Sequence, residues 1–449
     1  MKIIVIDDDP TGSQTVHDCL LLLRWDVDTL KKGFQSSSNL FFILANTRAL
    51  SENQAEERLK EIADALNDVI STQGYNKDEL IFISRGDSTL RGHNFLEPYT
   101  LSKLLGPFHA TFHIPAFIEG KRITKNGNHF VGDLPAHKTI YAQDKNFGFQ
   151  TNNVGQLLCQ KSKNKLEFKK IKNIFHSELA ISDVNESNKV SEMVANLTGN
   201  THVVVDALNY SQLKVFSKII MKYHTQKSFL FRSAASFVST ISNIHKNRKK
   251  PSYYSTLCRK NRDNKYMIGL IVIGSYVELT NRQLKKISER DAINLIELDV
   301  SEFHQIHKLE DRHIQIDLFK TKLIKEIRNS IDKCFTPILH TSRKYLISGN
   351  KSEQRQFSNS LAYFMAQLVA EIKFEIGYLI SKGGITTNLI LSEGLNADVV
   401  YLEGQILPGI SLVTHKIPEL DIKIPVVTFP GNIGDDYSLV KVLNILEGN

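Results

Sequence analysis

The chain has 449 residues, which is too long for one ordinary hydrophobic core and predicts two or three domains. Its hydrophobic content of 41% and charged content of 23% lie in the globular range and exclude a disordered or fibrous chain. The net charge of +8 favours anionic partners such as nucleotides, carboxylates and phosphates, without choosing among them.

The cysteines lie far apart and form no Cys-x-x-Cys pair, so they suggest neither a zinc site nor a disulfide framework. Isolated cysteines suit a reducing compartment, and we expect a cytoplasmic protein. The first residues predict a buried strand rather than a signal peptide, because no small-residue cleavage site follows them. No apolar run approaches the roughly 20 residues that span a bilayer, so we expect no membrane partner.

Short apolar runs recur along the chain and predict strands. They include Ile3–Ile6, Leu40–Ala45, Leu80–Ile83, Thr111–Ile114, His202–Val205, Ser228–Phe231, Ile268–Ile273 and Tyr378–Ile380, and a further strand is predicted at Ile424–Thr428. Helical patterns lie between many of them, as at Glu52–Val69 and Leu279–Ser288. Because unbroken apolar strands that alternate with helices are typical of parallel sheets covered on both faces, the sequence predicts an α/β protein with mostly parallel sheets.

A basic stretch at residues 243–266 marks the clearest predicted boundary. It carries eight Lys or Arg and one Asp between Lys246 and Lys265, and no helical or strand period runs through it. We interpret it as an exposed linker or loop and expect no nucleic-acid partner, because basic and aromatic residues do not interleave as they do on such surfaces. The predicted domains are therefore residues 1–242 and 267–449.

An acidic motif follows the first predicted strand and reads Asp7-Asp8-Asp9-Pro10-Thr11-Gly12. Ligands of parallel α/β folds sit outside the carboxyl ends of strands, which is where this motif falls. Acids there suit orientation of substrate hydroxyls, Mg²⁺ binding or proton transfer. A helix N-cap with exposed acids explains the motif equally well.

A second motif follows the strand Leu80–Ile83 and brackets an acid with two arginines. Its polar members are Arg85, Asp87, Ser88, Thr89 and Arg91. The planar fork of a guanidinium suits a carboxylate, and the hydroxyl and carboxylate groups suit the OH groups of a sugar acid. The alternative is a buried Arg–Asp pair that pins a loop, but the density of polar groups favours a site.

Three glycine-containing turns follow predicted strands in the second domain. They are Gly274-Ser275, before a helix expected to start at Thr280, Gly383-Gly384-Ile385-Thr386, and Pro430-Gly431-Asn432. Such turns free backbone N–H groups to face a phosphate, although many structural turns look alike. Neither a P-loop nor a dinucleotide fingerprint is present, and the histidines lack the spacing of zinc ligands.

Together these motifs resemble the four-carbon acid sugar kinase family over nearly the whole chain. The matching blocks are Asp8–Gly12, Asp87–Gly92, Gly127–Phe130 with Asp144, Arg232–Ser236, Gly274-Ser275 with Thr280 and Gln283, Lys382–Thr386, Gly404–Gly409 and Pro430–Gly434. The sequence also departs from the family pattern. Arg85-Gly86 stands where members acting on threonate-type acids usually carry Lys, and Asn388-Leu389 replaces a more usual Asp-Ile/Val-Ala.

The resemblance implies an N-terminal domain that binds the acid, a C-terminal domain that binds ATP, and an active site in the cleft between them. Family substrate positions are matched by Asp7, Asp8, Thr11, Arg85, Asp87, Ser88 and Arg91. Family nucleotide positions are matched by Gly274, Ser275, Gly383, Gly384, Ile385, Thr386 and Gly431, to which we add the neighbouring Asn432. The family also implies a homodimer.

The sequence therefore predicts a kinase that transfers the ATP γ-phosphoryl group to a hydroxyl of a small sugar acid, with Mg²⁺ bridging the phosphates. In this hypothesis Arg85 and Arg91 hold the carboxylate, and Asp8 or Asp87 orients or deprotonates the hydroxyl. No residue is assigned to a metal. The alternative is a non-catalytic sensor of small molecules on the same fold.

Overall fold

The computed structural model describes residues 1–10, 12, 15–163, 165–180, 184–244, 249–343, 351–417 and 422–448. The chain divides into two compact units, Met1–Lys246 and Asn247–Asn449. No helix within the described ranges is both long and apolar enough to cross a membrane.

The first unit is built from short strands and amphipathic helices. Its strands are β1 Lys2–Asp7, β2 Cys19–Leu22, β3 Leu40–Leu44, β4 Leu80–Arg85, β5 Ala110–Ile114, β6 Arg122–Lys125, β7 Asn128–Val131, β8 Leu134–Pro135, β9 Lys172–Ile174, β10 Thr201–Val205 and β11 Phe229–Ser233. Its helices are α1 Val27–Gln35, α2 Glu52–Thr72, α3 Leu96–Leu105, α4 Val154–Lys161, α5 Val184–Ala195, α6 Tyr210–Tyr223 and α7 Ala235–Ile241.

The main sheet of the first unit has the strand order β2-β3-β1-β4-β11-β5-β10-β9. All of its pairings are parallel, as the apolar runs predicted. The predicted strands are confirmed to within two residues at each end. Parallel order places the carboxyl ends of β1, β4 and β11 side by side, so the polar residues that follow these strands meet at one edge.

Aromatic and aliphatic side chains fill the core of this sheet. Phe112 packs edge-on against Phe216 of α6 and stacks on Phe231 of β11, with ring centroids 5.1 and 5.6 Å away. Helix α2 starts with a capping box between Ser51 and Gln54, which satisfies backbone N–H groups that would otherwise be unpaired. Its apolar residues recur at helical spacing and are buried, so the helix covers one face of the sheet.

A small antiparallel sheet, β6-β7-β8, is fixed to the carboxyl edge of the main sheet by a backbone bridge between Thr124 and Ala207 and by one acid. The buried Asp206 carboxylate, just after β10, accepts hydrogen bonds from the backbone N–H groups of Asn126 and Gly127, at 2.6 and 2.9 Å. These two residues form the turn between β6 and β7. The anchored turn holds Arg122, the first residue of β6, near the motif that follows β4.

The second unit contains a mixed sheet. Its strands are β12 Leu270–Ile273, β13 Ile293–Leu298, β14 Thr336–Thr341, β15 Leu379–Lys382, β16 Val399–Leu407, β17 Ile410–Ile417 and β18 Ile422–Phe429. Its helices are α8 Pro251–Thr256, α9 Glu278–Ser288, α10 Val300–Ile306, α11 Arg312–Asp332, α12 Lys351–Ile372, α13 Gly384–Leu389 and α14 Ser438–Glu447. Ile390–Gly394 continue α13 as a π-helical turn.

Five strands of the second unit, in the order β13-β14-β12-β15-β18, pair in parallel. Strands β17 and β16 add an antiparallel ribbon beside β18, which the apolar runs did not predict. The ribbon turns at Pro408-Gly409, where Gly409 has φ +76°. The parallel part places the turns after β12, β15 and β18 at one edge.

The basic stretch at residues 243–266 differs from the exposed loop that we expected. It contains α8, whose Tyr254 side chain is 1% exposed and donates a hydrogen bond to the Gln405 carbonyl oxygen at 2.9 Å. Cys258 is also buried in the core of the second unit. The helix has too few residues to show a periodic pattern in the sequence. Lys and Arg residues on both sides of it make the stretch look exposed, although its aromatic side chains pack inward.

Candidate functional site

Two acids and an arginine meet where β1 and β4 end. Asp7 and Arg85 are register partners on these adjacent strands, so they face the same edge of the sheet. Arg85 Nη1 lies 3.5 Å from Asp7 Oδ1 and 3.4 Å from Asp8 Oδ1. All three side chains are buried, which excludes the alternative of exposed acids at a helix N-cap for Asp7 and Asp8.

Arg48, four residues beyond the end of β3, makes the closest contacts to the acidic motif. Its Nη2 donates to Asp8 Oδ1 at 2.5 Å, and its Nε donates to Asp8 Oδ2 at 3.3 Å. Its Nη1 donates to Asp9 Oδ2 at 3.1 Å. The two bonds to Asp8 form a bidentate pair, which fixes the orientation of this carboxylate.

Arg232, near the end of β11, is as fully buried as Arg85. Its Nη1 donates to Glu97 Oε2 at 2.6 Å and to Ser84 Oγ at 2.8 Å, and its Nη2 lies 3.7 Å from Asp8 Oδ2. A Cβ atom at Gly86 would lie 2.4 Å from the Arg232 guanidinium carbon. Glycine is therefore needed at position 86 for the close approach of this side chain.

The motif after β4 folds into a loop held by charged hydrogen bonds. Asp87 Oδ2 accepts from Arg91 Nε at 2.7 Å and from the Thr89 hydroxyl. Arg122 Nη1 donates to Ser88 Oγ at 2.7 Å. The Arg–Asp pair that we considered as an alternative is thus present, and it stands inside a group of further arginines rather than alone.

His129 on β7 supports the same loop. Its Nε2 lies 2.7 Å from the Ser88 carbonyl oxygen and its Nδ1 lies 3.0 Å from the Thr124 hydroxyl oxygen. Burial lowers the pKa of His129 to about 4, so the ring is neutral at pH 7. A neutral ring satisfies both contacts by donating from Nε2 and accepting at Nδ1.

The pKa values of Asp7 and Asp87 move in opposite directions. Burial raises the pKa of Asp7 to about 7, with Asp8 and Asp9 adding repulsion and Arg85 opposing both effects. Burial acts to raise the pKa of Asp87 as well, but the guanidinium groups of Arg48, Arg91 and Arg122 outweigh it and hold the pKa well below its usual range. Asp87 is therefore a fixed negative charge at neutral pH.

Asp7→Asn is expected to gain stability relative to the wild type as the pH rises from about 4 to about 7. A carboxyl group with a raised pKa binds its proton more tightly in the folded state, so in the wild type stability is lost across this window. We expect the free-energy difference to shift by about 2–4 kcal/mol in favour of the variant.

The measurement is urea unfolding at several pH values, followed by the fluorescence of Trp25, the single tryptophan, in the first unit. Asp64→Asn, which removes an exposed carboxylate on α2, is the control. A difference between Asp7→Asn and wild type that stayed constant with pH would contradict the raised pKa.

Several arginine nitrogens in the cluster are buried without a protein acceptor. Among the described residues, Arg85 Nε, Arg122 Nε and Arg232 Nη2 have no hydrogen-bond partner. Buried donors are nearly always paired in native proteins. Unpaired arginine N–H groups at a strand edge therefore indicate a place where a ligand oxygen accepts their hydrogen bonds. The arginines are also oriented by aromatic rings, since Arg91 and Arg122 lie over Tyr141 at 5.1 and 5.7 Å.

The three glycine turns of the second unit approach one another closely. A Cβ atom at Gly274 would lie 2.0 Å from Thr386 Oγ1, and one at Gly431 would lie 2.4 Å from Ser275 Oγ. Gly383 has φ +125°, which side-chain-bearing residues rarely adopt. Glycine is thus needed for the turns to pack against the Thr386 and Ser275 side chains. Turns of this kind present backbone N–H groups, which suit a phosphate chain.

Thr280 does not cap α9 as we expected. The helix begins at Glu278 with Val277 at the N-cap. The Thr280 hydroxyl instead contacts Ser275 Oγ at 3.0 Å and donates to the Gly431 carbonyl oxygen at 3.1 Å. It therefore ties the turn after β12 to the turn after β18.

Lys382, the last residue of β15, lies fully buried beneath the same turns. Its Nζ donates to the Pro430 carbonyl oxygen at 3.0 Å and sits 3.7 Å from the centroid of the Phe429 ring. Burial, together with the charge of Arg343, lowers the pKa of Lys382 to about 7. A buried cation below these turns favours an anionic ligand above it.

A protein-built metal centre is not visible in the described part of the chain, where no group of three or more His, Cys, Asp and Glu side chains converges. Mg²⁺ in nucleotide enzymes is held largely by water and phosphate oxygens, with one or two protein ligands. The hydroxyl groups of Ser275 and Thr386 lie at the glycine turns and would supply the one or two protein ligands of such a site. A site of this kind suits these residues better than a cage made only of protein ligands.

The structure gathers most predicted residues at the two strand edges. Asp7, Asp8, Arg85, Asp87, Ser88 and Arg91 lie at the edge of the first unit, and Gly274, Ser275, Gly383, Gly384, Ile385, Thr386, Gly431 and Asn432 lie in or beside the turns of the second unit. Thr11 lies outside the described residues. Ile385 is 40% exposed and Asn432 is exposed.

Sequence reasoning missed Arg48, Arg122 and Arg343, and it gave no role to Arg232. Arg48 and Arg343 follow buried strands closely, so the strand-end rule could have found them. Arg122 begins a strand in the small sheet, and no local pattern indicates that its side chain reaches Ser88.

Two family models match this chain, one within each compact unit. Residues 3–241 match the sugar-binding N-terminal domain family, and residues 270–439 match the nucleotide-binding C-terminal domain family. The fold and its sites therefore define a two-domain α/β protein with one sugar-binding and one nucleotide-binding domain. The chain belongs to the four-carbon acid sugar kinase family, as its motifs indicated.

A D-erythronate kinase from Heliobacterium modesticaldum is 22% identical over 470 residues, covering 99% of this chain and 98% of the relative. A Haemophilus influenzae protein classed as a domain of unknown function has a similar fold, with a TM-score of 0.64, 19% identity, and coverage of 99% of this chain and 100% of that one. A Salmonella typhimurium protein superposes with a TM-score of 0.70 at 15% identity, covering 98% of both chains.

Proposed function

We propose that this protein is an ATP-dependent kinase that phosphorylates a hydroxyl of a small sugar acid. The observation that carries the proposal is the cluster of buried and half-buried arginines at the edge of the sugar-binding domain. Three of its nitrogens have no acceptor among the described residues. Neutral sugars do not require such a cluster, whereas the carboxylate of a sugar acid supplies the oxygens that guanidinium groups bind.

The acids of the cluster suit the hydroxyl groups of the same substrate. Asp87 stays ionised at neutral pH because three arginines surround it, so it serves better to accept a hydrogen bond from the attacking hydroxyl and orient it than to store a proton. Asp8 is held in one orientation by Arg48 and is the second candidate for this role. Gly12 packs directly against Asp7, because a Cβ atom at position 12 would lie 2.1 Å from the Asp7 carboxylate oxygens. Asp7 therefore acts by positioning Arg85.

In the transfer, the hydroxyl oxygen forms a bond to the γ-phosphorus as the bond between that phosphorus and the bridging oxygen of ADP breaks. The proton leaves the hydroxyl group toward an Asp carboxylate or water. Phosphoryl transfer needs alignment and charge neutralisation more than covalent participation by the protein. The glycine turns of the nucleotide-binding domain would hold the phosphates, and Mg²⁺ would neutralise part of their charge.

The test is ADP release in the presence of Mg²⁺ and a panel of aldonic and oxo-aldonic acids, which includes D-erythronate. We expect at least one acid to raise ADP release well above the background with ATP alone, and chelation of the metal to abolish the increase. If no acid in a broad panel stimulates release, the kinase proposal fails. Acid binding without ADP release would instead indicate a sensor.

Arg91→Ala is expected to weaken binding of the stimulating acid about ten- to hundredfold, because it removes a charged hydrogen bond of about 1.5–3 kcal/mol. Calorimetry with each ligand alone gives the two dissociation constants. ATP affinity is the internal control and should not change. A loss of ATP affinity with unchanged acid affinity would show that the ligands are assigned to the wrong domains.

A further inference from the structure

Arg343 reaches the glycine turns from the neighbouring strand. Strand β14 pairs with β12 in parallel, with His340 opposite Ile273, so the two strands end side by side. Arg343 follows β14 by two residues, and its Nη1 donates a short hydrogen bond to the Ser275 carbonyl oxygen. This contact places the guanidinium group directly against the turn after β12.

The opposite edge of the same guanidinium is unpaired. Within the described ranges, Arg343 Nε and Nη2 are buried and have no hydrogen-bond partner. These two nitrogens lie on one side of the planar group, and their N–H bonds run parallel. That geometry matches two oxygens of one phosphate or carboxylate group. Within the protein the guanidinium group is bonded through Nη1 alone. Nε and Nη2 together remain for two hydrogen bonds to one ligand group.

The charges around Arg343 also favour an anion. Lys382 is close enough for Arg343 to lower its pKa, and it points at the turn after β18. Burial lowers the pKa of Arg343 itself, and Glu297 on β13 opposes this effect only in part. His340, at the end of β14, is a further group affected by this charge. The half-buried Arg343 guanidinium and the partly charged Lys382 stand against a single nearby acid, and an anionic ligand would neutralise the positive charge that remains.

We propose that Arg343 binds the phosphate chain of the nucleotide, with Nε and Nη2 each donating to a phosphate oxygen while Nη1 remains on the Ser275 carbonyl oxygen. This inference rests on the proposed function, because it places a nucleotide at the glycine turns. It assigns the site a side-chain cation in addition to backbone N–H groups. Arg343 is then the residue that distinguishes a phosphorylated nucleotide from the bare nucleoside.

The test compares Arg343→Gln and Arg343→Lys with the wild type by calorimetry, using ATP, ADP, AMP and adenosine. We expect Arg343→Gln to bind ATP about 10- to 100-fold more weakly and adenosine with unchanged affinity. Arg343→Lys keeps the charge but loses the fork, so it should recover only part of the loss. The shortest nucleotide that loses affinity identifies the phosphate that is bound.

Arg328→Gln is the matched control, because Arg328 forms an exposed ion pair with Glu375. Glu375 precedes the amino end of β15, whereas the glycine turn follows its carboxyl end. It should bind every ligand as the wild type does. Equal ATP affinity in wild type and Arg343→Gln would overturn the inference alone, as would loss of acid binding with ATP binding intact. Absence of nucleotide binding by the wild type would overturn the proposed function as well. If Arg343→Gln does not fold, unchanged ATP affinity in Arg343→Lys overturns the inference.

Discussion

Asp87→Asn is expected to lower kcat/KM for the acid about 100- to 10,000-fold, the range typical for loss of a positioned carboxylate that contacts a reacting group. The amide keeps the shape of the side chain but removes the charge that Arg91 and the other surrounding arginines neutralise. Those arginines would then repel one another, and the attacking hydroxyl would lose its best acceptor.

The same substitution is expected to cost stability, because Asp87 is buried and paired. A carboxyl group with a depressed pKa stabilises the fold above the pKa that it has in the unfolded chain, and this contribution is lost as the pH falls toward its lower folded value. At pH 7 we therefore expect Asp87→Asn to lose about 2–4 kcal/mol. Below about pH 4 the difference in the free energy of unfolding between Asp87→Asn and the wild type should become smaller.

Activity and stability have to be separated in this test. Turnover is measured at least 10 °C below the melting temperature of the variant (a margin of about two kcal/mol or more for a domain of this size), and the fold is checked by the fluorescence of Trp25. Asp133→Asn, in the exposed turn between β7 and β8, is the control for loss of one carboxylate. Wild-type turnover in a destabilised Asp87→Asn variant would show that Asp87 only pins the loop.

The strand framework could be predicted because each buried parallel strand is a continuous apolar run. The segments Leu40–Leu44 and Leu80–Arg85 contain such runs, and the polar residues after them mark the edge where the site forms. The antiparallel β16–β17 ribbon escaped this rule because polar residues such as Glu403 and Gln405 interrupt its apolar positions. Strand β17 is buried over most of its length, and its buried polar residues Ser411, Thr414 and His415 break the apolar run without making it alternate. Such a run matches neither strand pattern in a single sequence.

The candidate site was predicted only in part because its contacts are long-range. Asp8 and Arg48 are 40 residues apart, and Ser84 and Arg232 are 148 residues apart. Strand order decides which of these residues meet, and local patterns do not encode strand order. The motif after β4 was recognisable because Arg85, Asp87 and Arg91 lie close in sequence. Arg122 was not, because a separate small sheet delivers it.

Arg232→Met is expected to destabilise the first unit by about 3–5 kcal/mol, the cost of removing one partner of a buried ion pair. Met fills much of the same volume, so the loss is mainly electrostatic. It leaves Glu97, which is fully buried, with hydrogen bonds only from Thr47 and Ser84 among those described. Burial already raises the pKa of Glu97, with Arg232 opposing it, so the variant should raise this pKa further.

That shift gives the prediction a pH signature. In Arg232→Met the folded state would bind a proton on Glu97 more tightly than the unfolded chain, so stability should fall as the pH rises above about 4.

Urea unfolding monitored at Trp25 gives the free energies at pH 5 and pH 8, and the loss relative to wild type should be larger at pH 8. Glu97→Gln in the Arg232→Met background should recover about 1–3 kcal/mol of the loss, because the neutral amide removes the unpaired buried charge. Lys163→Met, which breaks the exposed pair with Glu52 in the same unit, should cost less than about 1 kcal/mol. A loss of similar size in both variants would mean that Arg232 contributes volume rather than charge, and its contact with Glu97 would no longer explain why the edge of β11 carries an arginine.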